Sequence, residues 1–169
     1  MRSLLGKPWV SDLRHVFSSA EQKALDGAEI LSASLRIPHT VLPELGENDR
    51  SATGFLFPPA KFWEVVEEFF KHPERSVRGW ERACDAQARI VAALGEALRI
   101  APQGASIACV SHGGVGTLLL CHLKGAAISR SEEQPRPAPG SPPGSGGGYY
   151  FAFDAESREL RHGWRAIDA

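Results

Sequence analysis

Apolar residues recur at Ala24, Leu25, Ala28, Leu31 and Leu35 within the otherwise polar stretch AEQKALDGAEILSASL, residues 20–35. That spacing closes on one face of a 3.6-residue period and predicts a helix. The segment before it, HVFSS at 15–19, reads as a short strand ending in two serines. TVLPEL at 40–45 predicts a second strand, and GENDRSATGFLFPP at 46–59 is a polar loop punctuated by glycine and proline. Loops of that length inside a compact domain tend to carry function. AKFWEVVEEFFKHP follows, with apolar residues at 62, 63, 65, 66, 69 and 70, an amphipathic helix that Pro73 ends. Another helix runs from about Trp80 to Arg99 on a stripe of Ala83, Ala86, Ile90, Ala93, Leu94 and Leu98.

SIACVS at 106–111 is a continuous apolar run of strand length, the kind buried on both faces of a parallel sheet, and GTLLLCHLKG at 116–125 is the helix after it. Residues 129–148, SRSEEQPRPAPGSPPGSGGG, offer almost nothing to bury and read as a mobile loop. YYFAFDAESRELRHGWRAID then gives two strands joined by a polar turn, a hairpin finishing one edge of the sheet. Strands alternating with helices predict one α/β domain over residues 1–169, a three-layer α/β/α sandwich with a mostly parallel sheet.

Composition narrows the partners. At 169 residues and 43% hydrophobic the chain can bury a sizeable core. Nineteen basic against twenty acidic residues leave a net charge of −1, without the basic footprint of a nucleic-acid or anionic-membrane binder. A small molecule or a protein is the expected partner. No apolar run spans a bilayer and the N-terminus has no signal-peptide pattern, so the expectation is a cytoplasmic protein. Cys84, Cys109 and Cys121 are odd in number, widely spaced and set in apolar surroundings. They read as reduced, mostly buried thiols, with no disulfide framework, metal site or cofactor.

Three strand ends gather polar residues: Ser18-Ser19, Glu44 to Arg50, and Ser111-His112-Gly113. Ligands collect beyond the carboxyl ends of parallel strands. At the last of these ends, the helix starting near Gly114 offers unpaired N–H groups and a partial positive charge, and bare glycine backbone lets an anion approach. The plainer alternative is that Ser111 and His112 cap the helix while the glycines serve the turn. A dinucleotide fingerprint fails, because Leu119 stands where its last glycine belongs. A hydrolase oxyanion loop fails too, for want of a Gly-x-Ser-x-Gly elbow.

Together, VFSSAEQKALDGAEIL, LGENDR and VSHGGVGTLLLCHL resemble, in order and spacing, the histidine phosphatase superfamily with its phosphoglycerate mutase-like fold. The resemblance implies that His112 is the second histidine of the site, donating to phosphoryl oxygens, with Ser111 and Gly113 beside it. It implies that Lys23, one turn beyond Ser18-Ser19, stands where the family has arginine and contacts phosphate as a point charge. Glu47 in LGEND fits the general acid, with Glu44 in LPEL as the alternative, and Arg50 and Ser51 could add substrate contacts. Trp80 and Arg89 read as packing and surface residues. His39, His72, His122 and His162 read as structural or exposed.

At the end of a first strand preceding Ser18-Ser19, where the resemblance places a nucleophilic histidine in Arg-His-Gly or Arg-His-Pro, the chain has no counterpart. Arg14-His15 is followed by Val16, and His15 falls roughly 10 to 13 Å from the catalytic edge at strand rise. MRSLLGKPW reads as the tail of a helix, so the chain is expected to be either an N-terminally shortened phosphatase or a relative that has lost catalysis. Unpaired strand edges would follow, leaving the chain marginally stable unless dimerisation repairs them. The functional expectation is a protein derived from enzymes acting on phosphate monoesters or phosphohistidine, without turnover. Its alternatives are a regulatory protein binding a small phosphorylated molecule or a phosphoprotein, and a domain with no site.

Overall fold

The computed structural model describes residues 1–54, 56–135 and 148–168. Three strands form a parallel sheet in the order β2-β1-β3: β1 is Leu13–Ser18, β2 His39–Val41 and β3 Ser106–Val110. Val16, Phe17 and Ser18 of β1 align with His39, Thr40 and Val41 on one side and with Ala108, Cys109 and Val110 on the other. Flanked on both sides, those three residues are wholly buried.

Helix α1, Gln22–Leu35, covers one face of the sheet. Its Ala28 and Leu31 pack with Leu4, Val10, Leu13 and Val16. The N-terminal stretch that reads as a helix tail is instead two 3-10 turns, Arg2–Gly6 and Pro8–Asp12. Pro8 lacks the N–H that would carry one helix through. On the opposite face lie α2 (Pro59–Lys71), α3 (Ala83–Ile100) and α4 (Gly113–Leu123), whose Phe69, Ile90 and Leu118 pack with Phe17 and Trp80. The three layers match the expected α/β architecture.

Two strand readings change. TVLPEL is a strand only to Val41, because Pro43 cannot donate to a ladder and opens a 3-10 turn, Pro43–Leu45, that buries Leu45. The SIACVS run is not buried on both faces: Ile107, Ala108 and Val110 are half-buried and Cys109 is exposed. The reason is topological, since among the described residues β3 pairs only with β1. Cys109 thus departs from the buried-thiol expectation, while Cys84 is half-buried and Cys121 buried. Although Cys109 is reachable, the protein mass around its sulfur desolvates the thiol and pushes it up to about 12.

The expected hairpin forms from β4, Tyr149–Phe153, and β5, Leu160–Ala166, as an antiparallel pair not hydrogen-bonded to the parallel sheet. It straddles both cores, with Phe151 and Phe153 on the α3–α4 side and Tyr150 and Ile167 on the α1 side. Of the stretch expected to be mobile, residues 129–135 are held in place and 136–147 lie outside the described residues. Lys124 pairs with Glu132 at 2.6 Å, Arg130 with Glu133 at 2.7 Å, and the Trp164 indole donates to the Glu132 carbonyl at 2.7 Å. No described helix is long and apolar enough to cross a membrane.

Candidate functional site

The site lies where β1, β3 and the Pro43–Leu45 turn end together. His112 is the N-cap of α4 in extended conformation, and its side chain makes no capping bond. The capping acceptor is Glu47: Gly114 N–H donates to Glu47 Oε2 and Val115 N–H to Glu47 Oε1, each at 3.0 Å. A helix N-terminus with its orphan donors and partial positive charge draws an anion, and here that anion is a carboxylate of the chain itself. Glycine at 114 leaves room for the approach, since a Cβ there would lie 2.5 Å from Glu47 Oε1 and displace that carboxylate.

Four hydrogen bonds from two side chains hold the Glu47 loop. Ser111 Oγ donates to the Leu45 carbonyl at 2.6 Å. Arg89, from α3, donates Nη1 to the carbonyls of Glu44 at 2.6 Å and Gly46 at 3.0 Å, and Nη2 to that of Glu47 at 3.2 Å. The same guanidinium forks onto the Glu81 carboxylate at 2.8 and 3.0 Å. That bond to Glu81 is the main cause raising Arg89 further above its ordinary range, with the charges of Glu81, Glu47 and Glu44 adding to it against the opposing effect of burial. Arg89 is therefore the clamp of the acidic loop, not a surface residue.

The His112 ring is mostly buried, and its Nε2 meets two groups: Ser19 Oγ at 2.7 Å and Glu21 Oε1 at 3.2 Å. Glu21 Oε1 also accepts the Glu47 N–H at 2.8 Å, tying the two strand ends together. The trio of serine, histidine and glutamate is not a nucleophilic triad. Both partners share one ring nitrogen, so among the described residues no acid orients the imidazole from its far side, and Ser19 is wholly buried.

The structure thus brings His112, Ser111, Gly113 and Glu47 to one turn. Arg50 reaches it only through Glu47, at 3.3 Å. Its guanidinium otherwise donates to Asn48 Oδ1 at 2.8 and 3.0 Å and lies 5.2 and 5.1 Å from the rings of Phe62 and Trp80. Lys23 is exposed near the start of α1, and no bond ties it to His112 among the described residues. Glu44 contributes its backbone carbonyl to Arg89 and no side-chain contact to the turn. Gly113 lies under the Gln134 side chain, which a Cβ there would meet at 2.9 Å.

Sequence reasoning missed Ser19 and Glu21 as partners of His112. Glu21 looks like an ordinary first-turn carboxylate, and only the meeting of β1 with β3 sets it against the imidazole. It also passed over an Arg-His-Gly tripeptide, Arg161-His162-Gly163, which stands in the final strand and not ahead of Ser18. The structure sets this tripeptide inside β5, with His162 edge-on to Tyr150 at 5.2 Å and its Nδ1 2.8 Å from the Gly163 carbonyl. No hydrogen bond joins it to His112 among the described residues. His15 is buried in mid-strand, 2.9 Å from Thr40 Oγ1 and stacked on Phe17, and burial, then the nearby His39, lowers its pKa. His39 meets Ser18 Oγ at 2.8 Å.

The profile of the histidine phosphatase superfamily (branch 1) matches residues 6–138. Among solved structures, YhfR of Bacillus stearothermophilus is similar with a TM-score of 0.65 at 23% identity, over 79% of this chain and 68% of that one. The native mycobacterial glucosyl-3-phosphoglycerate phosphatase superposes with a TM-score of 0.67 at 16% identity, over 99% of this chain and 84% of that one. The same phosphatase in complex with inorganic phosphate gives 0.60 at 20% identity, over 75% of this chain and 65% of that one. At these identities the likeness is one of fold. Comparison with curated proteins finds no match.

Proposed function

The chain belongs to the histidine phosphatase superfamily, and on that premise we propose that its His112 turn binds the phosphoryl group of a phosphate monoester or of phosphohistidine without turning it over. The observation that carries this reading is the joint placement of the His112 imidazole and the first N–H groups of α4 at one strand end, a set of donors suited to phosphoryl oxygens. Glu47 is the carboxylate placed to serve proton transfer if any occurs, being joined to the turn directly where Glu44 is not. Absence of turnover is supported by the lack, among the described residues, of a second histidine bonded at this turn: His15 and His39 are engaged inside the sheet and His162 in the hairpin.

On this reading the occupant is a small phosphorylated molecule or a phosphorylated side chain of a partner protein, and the unpaired cysteines suit the cytoplasm. Inorganic phosphate titrated against the His112 ring resonances should give a saturable shift. A flat response in tens of millimolar phosphate, in the wild type and in Glu47→Gln alike, would sink the site. A p-nitrophenyl phosphate assay with His112→Ala and His162→Ala variants tests the catalytic half. No turnover is expected, and turnover lost in either variant would restore an enzyme and name its histidine.

A further inference from the structure

The two N–H groups best placed for a phosphoryl oxygen, those of Gly114 and Val115, are the two that Glu47 already holds at 3.0 Å each. The Glu47 carboxylate copies the charge and the paired oxygens of a phosphate edge, and Arg50 stands 3.3 Å behind it as a counter-charge. From this geometry we infer that Glu47 is the resident anion of the phosphate cradle, so that phosphate enters by displacing it. The inference rests on the phosphate-site reading above and adds its control.

The loop is built for such an exchange. Arg89 binds the backbone carbonyls of Glu44, Gly46 and Glu47, and Ser111 binds that of Leu45. None of these bonds uses the Glu47 carboxylate, whose hydrogen bond within the loop is the Asn48 N–H donating to Oε1 at 3.1 Å, so the side chain swings out with the loss of that loop hydrogen bond. Glu21 accepts the Glu47 backbone N–H, a bond that likewise does not use the carboxylate. Displacement uncovers two donors at the positive end of α4 and frees Arg50 for the incoming anion. The resident carboxylate also screens the site against weakly charged ligands, because a newcomer must outbid a charge-assisted pair of hydrogen bonds.

The test is inorganic phosphate titrated at constant ionic strength into the wild-type chain, Glu47→Gln and Glu47→Ala, read at the His112 ring by NMR. Removing the competing charge should tighten phosphate about ten- to a hundredfold, the weight of one charge-assisted hydrogen bond. Glutamine keeps the shape and guards against an unfolded alanine variant, and circular dichroism checks both. If folded Glu47→Gln and Glu47→Ala bind phosphate no better than wild type while all three respond, the resident-anion inference is wrong and the site survives. If His112 responds in none of the three, both readings fail.

Discussion

Replacing Arg89 by methionine keeps the aliphatic bulk of a half-buried side chain and deletes every donor it carries. Three bonds to the carbonyls of Glu44, Gly46 and Glu47 are lost together with the fork onto Glu81, whose side chain is only 18% exposed. A hydrogen bond to a charged group is worth about 1.5–3 kcal/mol, but the loop carbonyls and the carboxylate regain water when the clamp goes. A net loss of about 2–4 kcal/mol is therefore expected, or about 4–16 °C in Tm for a chain of this size. Arg89→Lys retains a charge without the planar fork and should recover less than half of the loss. Urea unfolding of the wild type, both variants, Glu81→Gln and the Arg89→Met/Glu81→Gln pair gives the coupling, expected at about 1–3 kcal/mol. A loss below about 0.5 kcal/mol in Arg89→Met would refute the clamp and return the residue to an ordinary surface position.

Gly114→Ala would ordinarily stabilise a helix by about 1 kcal/mol. Here the new Cβ falls 2.5 Å from Glu47 Oε1, so the carboxylate must leave and a net loss of about 1–2 kcal/mol is expected; a gain in Tm would contradict the contact. His15 titrates below its ordinary 6.5 in the folded chain, so the unfolded chain binds that proton more readily. Its contribution is complete above about pH 6.5 and is lost as pH falls through the depressed folded value. The fall in urea midpoint between about pH 7.5 and 5.5 should be shallower in His15→Leu, and an equal fall would discard the assignment. With its thiol pushed up to about 12, Cys109 should be alkylated by iodoacetamide far more slowly than Cys84 at about pH 8, despite its exposure. Equal rates by mass spectrometry would refute that desolvation. Among the described residues one edge of β3 is unpaired, so pairing of two copies at high concentration is expected, and a monomer throughout in sedimentation would count against it.

Periodicity alone was enough for the helices. The α3 stripe of Ala83, Ala86, Ile90, Ala93 and Leu94 is buried as its spacing requires, with Leu98 half-buried, and so are Val65, Val66, Phe69 and Phe70 of α2, while Phe62 is half-buried and Trp63 exposed, because a helix face depends on a local repeat. The Ser-His-Gly turn and the Leu-Gly-Glu loop were likewise legible as local motifs, and the structure brings them together at one strand end. What lay beyond the sequence depends on which elements meet. SIACV has the composition of a doubly flanked strand, yet it has one neighbour and so leaves Cys109 exposed. Glu21 and Arg89 carry no local mark of their roles, since one acquires His112 across 91 residues of chain and the other binds a loop 42 to 45 residues away. An Arg-His-Gly tripeptide in β5 shows the converse, a motif whose letters match while its surroundings are a hairpin. The sequence by itself determined the helices, the layered class and the donors at the α4 turn. Only the tertiary structure decided that those donors are already held by Glu47, because a hydrogen bond between residues 67 positions apart is set by packing and not by local pattern.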